Sequence, residues 1–375
     1  MTSGADMIDW DLAVSTANRL VRPGPEVSRD EARAVVAELR VHAAASEGHV
    51  RGFTGLDTRG NDTPVLIVDR SGWVQANVQG FRHVLRPLLD KVNERRDTIP
   101  GGNALSGVGS KVTGIELGTL LSFLSARVLG QYETFAPGEA DAAPGNAGRL
   151  LLVAPNIVQV ERELDVDPTD FRLWVCLHEE THRTQFTAVP WLRDHLEQEV
   201  HAFLTETEVD PAAMMRRFRE AAQALVAGRR GEEAAEPRNG SDGSLVEMVQ
   251  TPVQREILHR ITAVMSLLEG HADYVMDGVG PQVIPTVAEI REKFQQRRAR
   301  GTGRLDLALR KLLGMDAKLR QYRDGERFVR TVVDQVGMEG FNRVWTSPNT
   351  LPTRGEIADP QTWVDRVHGT RPATS

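Results

Sequence analysis

The sequence predicts a mostly helical α+β fold with one small β-sheet, and two observations favour this class. Apolar residues recur every three to four positions along most of the 375-residue chain, which is the period of a helix packed on one side. Two stretches, 63–68 and 149–158, are instead rich in consecutive Val, Leu and Ile residues and predict short strands. The chain has 40% hydrophobic and 26% charged residues, a balance typical of a globular protein.

Charge and cysteine content exclude several classes of function. The net charge is −7 and the pI is about 5.9, whereas a protein that binds nucleic acid needs a basic surface. A single cysteine, Cys176, cannot form an internal disulfide. The N-terminal sequence lacks the pattern of a secretory signal, and no apolar run approaches the ~18 residues of a membrane span. We therefore expect a cytoplasmic protein whose partner is neither nucleic acid nor a membrane.

Three helical stretches are predicted in the first half of the chain. Residues 30–50 have a strong amphipathic pattern, with Ser28 as the N-cap. Residues 63–92 predict a short strand, a turn at 71–72 and then a long helix. Residues 110–133 are apolar and contain small residues, which predicts one buried helix.

The second half begins with the strand at 149–158 and continues with a capped helix. Asp167 is a candidate N-cap, and Pro168 suits the first helical position. The polar segment 229–244, rich in Gly, Ser and Pro, predicts a flexible loop within the domain. A long helix is predicted over 251–280.

These elements divide the chain into three regions. Residues 1–60 are predicted to form an N-terminal helical region, and residues 61–346 the main domain. Residues 347–375 contain several prolines and are predicted to form an irregular C-terminal tail.

The helix that begins at Pro168 carries the motif H-E-x-x-H as His178, Glu179 and His182. Positions i and i+4 lie on one face of a helix, so both imidazoles can bind one metal ion. Glu179 lies ~100° further round the helix, where it can take a proton from a metal-bound water. Zinc suits nitrogen ligands and brings the pKa of its water towards ~7, which is the chemistry of amide hydrolysis.

The two histidines continue the apolar stripe of this helix, which comprises Phe171, Val175 and Phe186. Inward imidazoles need partners, and a metal ion would satisfy them, as would carbonyl or carboxylate groups. The alternative is a surface helix whose charged and polar residues match the motif by chance.

A catalytic zinc usually has three protein ligands, so a third residue is needed. The metzincin extension requires Gly at 185 and His at 188, but the chain has Gln185 and Ala188. Cys176 faces another side of the helix and is better explained as a small buried residue. His195 and His201 are possible ligands, although a solvated helix face explains them better.

Glu269 is the best candidate for the third ligand. It lies within the apolar stripe of the predicted helix 251–280, where a carboxylate is costly unless it is paired or bound to a metal. Asp273, one turn later, can accept the N–H of a ligand histidine and fix its tautomer. Gly270 would let this helix pass close to the H-E-x-x-H helix. The alternative is that Glu269 pairs with a buried arginine.

Three further residues are candidate contacts to a substrate. His271 lies ~200° from Glu269 around the helix, so both cannot easily bind the same ion. It can hydrogen-bond a substrate or be structural. Tyr274 and Tyr322 are candidate donors to a developing oxyanion, with a buried structural tyrosine as the alternative for each.

Several segments resemble one known family, and the most specific are the pattern W-x-x-x-H-E-x-x-H-R-x-Q-F and the block E-G-H-A-D. The segments lie at 171–186, 189–196, 269–277, 312–329 and 351–363. They are similar to the zincin-like metallopeptidases of actinobacteria and their relatives, a family once of unknown function. Some of its members are associated with biosynthesis of the deazaflavin cofactor. The similarity extends from about residue 73 to about residue 366.

The resemblance implies a zincin-like fold with an active-site helix, a second helix and a small sheet. It implies a zinc site at His178 and His182, with Glu179 as the base. Similarity to gluzincins, whose downstream E-x-x-x-D supplies a ligand and its support, maps these two roles onto Glu269 and Asp273. Glu269 lies 91 residues after His178, which is longer than the usual gluzincin gap, and the predicted flexible loop can account for the excess.

These observations together predict a zinc-dependent hydrolase that cleaves peptide bonds in a peptide or protein substrate. Zinc would hold a water, and Glu179 would deprotonate it and pass the proton to the leaving nitrogen. The strand at 149–158 would hold extended substrate by strand addition. One alternative is a catalytically inactive, metal-stabilised helical interaction module, which a fourth ligand such as His271 would favour. The other is a small-molecule amidohydrolase with a narrow, closed pocket.

Overall fold

The computed structural model describes residues 7–58, 63–97, 106–134, 148–206, 251–300 and 315–369. The α-helices in these ranges are α1 (Trp10–Leu20), α2 (Arg29–Thr54), α3 (Arg70–Asp97), α4 (Ser106–Ser125), α5 (Ala154–Leu164), α6 (Pro168–Ala188), α7 (Pro190–Thr205), α8 (Pro252–Gly278), α9 (Val287–Arg300), α10 (Met315–Phe341), α11 (Arg354–Ala358) and α12 (Pro360–His368). Two short 3₁₀ helices, Asn342–Trp345 and Pro348–Thr350, lie between α10 and α11. None of the helices in the described ranges is long and apolar enough to cross a membrane.

Three short strands in the described ranges form one mixed sheet: β1 (Val65–Val68), β2 (Gly130–Glu133) and β3 (Arg149–Val153). Their order across the sheet is β1, β3, β2. β3 is parallel to β1, with Val65 opposite Leu150, and antiparallel to β2. The apolar residues of β3 are fully buried. The prediction of a mostly helical fold with a small sheet is confirmed.

Two predictions about the segments that contain β2 and β3 are wrong. Residues 149–158 cannot hold substrate by strand addition, because β3 has a neighbouring strand on each edge and the chain enters α5 at Ala154. Residues 110–133 do not form a single helix either, since α4 ends at Ser125 and Gly130 begins β2. Apolar periodicity alone does not separate a helix from a short buried strand that follows it. Pairing with β3 decides the structure of this segment.

The predicted starts of two helices are confirmed. The Ser28 hydroxyl accepts the N–H of Glu31 at 3.1 Å and caps α2. The Asp167 carboxylate accepts the N–H of Asp170 at 2.9 Å and caps α6, with a proline at the first helical position. α6 therefore has a defined first residue, which sets the orientation of every side chain along it.

The predicted turn at 71–72 and the predicted irregular tail at 347–375 are both wrong. The predicted turn at 71–72 is the first turn of α3, which begins at Arg70, and the Asp69 carboxylate accepts the N–H of Gly72 at 2.7 Å. The predicted irregular tail at 347–375 contains α11 and α12. Trp363 of α12 is fully buried, so burial of a large apolar side chain outweighs the local effect of the prolines.

Helix α6 lies at the centre of an apolar core that it shares with α2 and α8. Leu39 of α2, Phe171 of α6 and Val275 of α8 belong to one buried cluster. Side chains from before residue 60 are thus part of the core that holds α6. The predicted domain boundary at residue 60 stays a prediction, and the predicted loop at 229–244 lies outside the described residues.

Helices α8 and α10 cross with their backbones in contact, at Gly270 and Gly325. A β-carbon at position 270 would lie 2.5 Å from the backbone oxygen of Gly325 and nearer still to its carbonyl carbon. The prediction that Gly270 brings α8 close to α6 is therefore wrong, because this glycine faces α10. Glu269 directly precedes Gly270, so the crossing fixes the turn of α8 that carries Glu269.

Candidate metal centre

His178 and His182 lie one turn apart on the same face of α6. Their Nε2 atoms are 3.3 Å apart, and their rings are perpendicular. The side chains are 17% and 13% exposed, so each ring is mostly buried but reachable from solvent. The predicted i, i+4 pairing is therefore present in the structure.

Glu269 of α8 completes a group of three potential ligands. Its carboxylate oxygens lie 3.7 Å from Nε2 of His178 and 3.9 Å from Nε2 of His182. One ligand atom from each residue lies within 4.8 Å of the others, and no second such group is found in the described ranges. Around a tetrahedral zinc with bonds of ~2.05 Å, ligand atoms lie about 3.3 Å apart. The two nitrogens already have this spacing, and the Glu269 carboxylate lies close enough to join them through a change of its side-chain torsions, so the donor set of two imidazoles and one carboxylate fits zinc.

The second nitrogen of His178 faces α8 one turn beyond Glu269. Its Nδ1 lies 3.2 Å from Sδ of Met276 and 3.7 Å from Oδ1 of Asp273. A carboxylate on this side favours a proton on Nδ1 and leaves Nε2 for a metal. Asp273 therefore lies where the sequence predicts it, although 3.7 Å is longer than a hydrogen bond, and its supporting role stays a prediction.

Glu179 is buried next to the three potential ligands. Its residue exposure is 6%, and burial, followed by the neighbouring Glu269 carboxylate, raises the pKa of Glu179 well above its ordinary value. Gly130 of β2 lies directly against it. A β-carbon at position 130 would lie 2.5 Å from Cγ, 2.6 Å from Cδ and 2.8 Å from Oε1 of Glu179. Only a glycine leaves the Glu179 carboxylate in its observed position.

His182 is held on its other side by Gln185. Nδ1 of His182 lies 3.0 Å from Oε1 of Gln185, while Nε2 of Gln185 lies 2.9 Å from the carbonyl oxygen of Leu268 and 3.0 Å from Nδ1 of His271. Gln185 and His271 are both fully buried. Burial, with a smaller effect of His182, lowers the pKa of His271 to about 3, so this imidazole is neutral.

Two of the three predicted substrate contacts pack against aromatic rings. His271 stacks on Phe341 with ring centroids 5.2 Å apart, and its complete burial favours the structural alternative. Tyr274 packs against Phe53 at 5.8 Å, and its role stays a prediction. The side chain of Tyr322 lies outside the described part of the structure.

The weaker ligand candidates do not join the group of three. Cys176 is fully buried, its sulfur lies 3.9 Å from the carbonyl oxygen of Leu39, and burial raises the pKa of the thiol. The His195 ring lies 6.1 Å from the ring of Trp191 on α7. His201 is exposed on the same helix.

Gln185 and Gly130 are two residues of this site that the sequence does not assign to it. A usable signal exists for Gln185, since a polar amide lies on the inward stripe of α6 one turn after His182 and next to Phe186. No local signal marks Gly130. Its importance arises only because β2 passes over Glu179.

Comparisons with known proteins agree with this geometry. The profile of the zincin-like metallopeptidase family matches residues 8–364. A protein from Chloroflexus aurantiacus, described from its crystal structure as a candidate hydrolase with a novel fold, is similar with a TM-score of 0.67 and 30% identity. That alignment covers 97% of this chain and 100% of the other. A comparison with curated proteins finds no match. The family match spans nearly the whole chain, including the three potential ligands, and the chain therefore belongs to the zincin-like metallopeptidase family.

Proposed function

We propose that this protein is a zinc-dependent hydrolase that cleaves peptide bonds, with Glu179 as the general base. The observation that carries the proposal is the convergence of His178, His182 and Glu269, whose ligand atoms lie within 4.8 Å of one another. A buried carboxylate that is not needed as a ligand lies beside them. Membership of the zincin-like metallopeptidase family supports the same chemistry.

His178, His182 and Glu269 would hold the zinc ion. Three protein ligands leave one position of a tetrahedral ion open, which is typical of catalytic zinc sites rather than structural ones. When bound, zinc lowers the pKa of a water molecule and polarises a substrate carbonyl. The partly exposed imidazoles leave access for both.

Glu179 would accept a proton from the attacking water and return it to the leaving nitrogen. Burial favours the protonated carboxyl, so its raised pKa suits a group that must both take and give a proton. Its position one residue after His178 places it beside the ligands instead of among them.

An extended substrate would lie along β2. Among the described strands, β2 lies at an edge of the sheet, with β3 on its inner side, and Gly130 brings it into contact with Glu179. Edge strands bind extended peptides through main-chain hydrogen bonds. β2 thus replaces β3 as the strand that we assign to substrate binding.

A methyl group at position 130 should misplace the base without removing the metal. We expect Gly130→Ala to lower kcat for peptide cleavage about 100-fold, since displacing a catalytic group by ~1 Å costs roughly that factor. Gly130 is not among the described glycines with positive φ, so its backbone accepts alanine. Zinc per chain and kcat, measured on the same preparation, check this prediction.

The matched control for this steric test is Gly52→Ala, because a β-carbon at position 52 meets nothing within 4 Å. It should leave kcat and zinc content at the wild-type values. If Gly130→Ala also kept its full turnover, β2 would not determine the position of Glu179.

Metal content is the first experiment for the proposed function. Elemental mass spectrometry should find about one zinc per wild-type chain, and His178→Ala and Glu269→Ala should each lose it. The zinc-loaded wild type is then incubated with a mixture of synthetic unstructured peptides, and the products are identified by mass spectrometry. Removal of zinc by a chelator should stop cleavage. Failure to load zinc, or intact peptides throughout, would contradict the proposal.

The interaction-module alternative requires a closed site with a fourth protein ligand. In the described part of the chain the ligand group has three members. His271, the candidate for a fourth ligand, has its Nδ1 at 3.0 Å from the Gln185 amide and is fully buried. These contacts favour an open site and hence an enzyme.

A further inference from the structure

Gln185 connects the two helices that carry the potential zinc ligands. It lies on α6, three residues after His182, and its side chain reaches α8 at Leu268 and His271. These two residues stand on either side of Glu269 in the sequence, so one amide contacts the surroundings of two different ligands. Gln185 is fully buried, and water does not compete for its hydrogen bonds.

The contact with Leu268 determines which way the Gln185 amide points. A backbone carbonyl oxygen can only accept a hydrogen bond, so the atom 2.9 Å away from it must be the NH₂ group. The amide oxygen therefore faces Nδ1 of His182 at 3.0 Å, and this oxygen can only accept. It follows that Nδ1 of His182 carries the proton. The lone pair of the ring is then on Nε2, the atom that faces His178.

The second N–H of the amide is used by His271. It lies 3.0 Å from Nδ1 of His271, which must accept the hydrogen bond. The His271 ring is packed between Phe341 and Trp345, with centroid distances of 5.2 and 5.5 Å, and these contacts restrict its rotation. The amide oxygen and both N–H groups of Gln185 thus each have a protein partner, so the amide group has only one orientation.

We propose that Gln185 is a positioning residue of the metal site, which holds His182 in the tautomer that ligates through Nε2. The same amide ties α6 to the turn of α8 that carries Glu269. This inference rests on the proposed zinc site, but it does not depend on which bond the enzyme cleaves. Hydrogen-bond partners of ligand histidines typically contribute ~10–100-fold to metal affinity.

Two substitutions separate the acceptor of Gln185 from its donors. Gln185→Met keeps the length of the side chain and removes both, and we expect zinc affinity to fall ~10–100-fold. Gln185→Glu keeps an oxygen acceptor for His182 but removes the donors to α8. It should lower the unfolding midpoint while zinc affinity stays within about threefold of the wild type. Affinity is measured by competition for zinc with a chromophoric chelator.

The control is Thr181→Val, which removes a buried hydrogen bond from the residue next to His182. The Thr181 hydroxyl donates to the Leu177 carbonyl at 2.7 Å within α6, so its loss should lower stability and leave zinc affinity unchanged. Wild-type affinity in Gln185→Met would overturn the proposal. Equal losses in Gln185→Met and Gln185→Glu would overturn it too, since the effect would then follow packing and not the acceptor.

A measurement on the unsubstituted protein keeps the inference testable if Gln185→Met does not fold. Nitrogen chemical shifts of zinc-free protein labelled with ¹⁵N-histidine report the tautomer of each ring, and His182→Asn identifies the signal. We expect His182 to carry its proton on Nδ1. A proton on Nε2 would overturn the proposal. If the protein cleaved no peptide, the expected tautomer of His182 and the expected zinc affinities would be unaffected. The proposed function and the positioning role of Gln185 can therefore fail independently.

Discussion

Replacing Glu179 by glutamine is expected to lower kcat for peptide hydrolysis by about 10⁴-fold, the upper end of the range for a general base. Glutamine has nearly the same shape but cannot accept the proton of the attacking water, and both proton transfers assigned to Glu179 are lost. Zinc content should remain at about one per chain, because none of the three ligands is changed. Single-turnover peptide cleavage measures the expected loss of rate, and elemental analysis of the same sample measures the zinc content.

Glu180→Gln is the neighbouring control for this substitution. Glu180 points away from the ligands and forms an ion pair with Arg183 at 2.8 Å. Its loss should reduce stability and leave kcat close to wild type. If Glu179→Gln retained full turnover, another group would have to move the proton, and the assignment of the base would fail.

Gly270→Ala, which adds one methyl group to α8, is expected to lower the free energy of unfolding strongly. The β-carbon would lie within 2.5 Å of three backbone atoms of α10, the carbonyl carbon and oxygen of Gly325 and the nitrogen of Glu326. Backbone atoms cannot rotate away as a side chain can, so the helices must separate. We expect the free energy of unfolding to fall by about 3 kcal/mol, at the upper end of overpacking effects. Urea denaturation of the zinc-free protein measures it.

A second substitution tests the same crossing from the other helix. A β-carbon at Gly325 would meet the carbonyl of Ser266 on α8, and Gly325→Ala should destabilise the protein by a similar amount. Gly48→Ala in α2, where nothing lies within 4 Å, should instead leave stability unchanged or raise it slightly. A Gly270→Ala protein as stable as wild type would show that α8 and α10 are not packed this closely.

The ligand group is predictable from the sequence because each member follows from the periodicity of its own helix. The pairing of His178 and His182 follows from their four-residue spacing on a helix, and the N-cap at Asp167 supports the prediction of that helix. Glu269 is recognisable because a carboxylate on an apolar stripe requires a partner. The structure adds that these two stripes face each other.

The parts that escape prediction depend on which segments meet in space. Gly270 is recognisable as a close-approach residue, but the sequence does not say whether α6 or α10 is its partner. β2 has four residues and no turn signal strong enough to separate it from α4. The contact of Gly130 with Glu179 is therefore visible only in the structure, where β2 crosses over Glu179.

The bridge between α6 and α8 would give the proposed zinc ion a second role, as a cross-link. Gln185 and Leu268 are 83 residues apart in the chain, and a zinc ion held by His182 and Glu269 would close a ring of similar size. Cross-links that close long rings remove much of the freedom of the unfolded chain. The entropy of ring closure changes slowly with length, by only about 0.6 kcal/mol for each doubling. The chain can therefore carry a long connection between His182 and Glu269, and lengthening it further would weaken the link that the ion makes between the two helices only slightly.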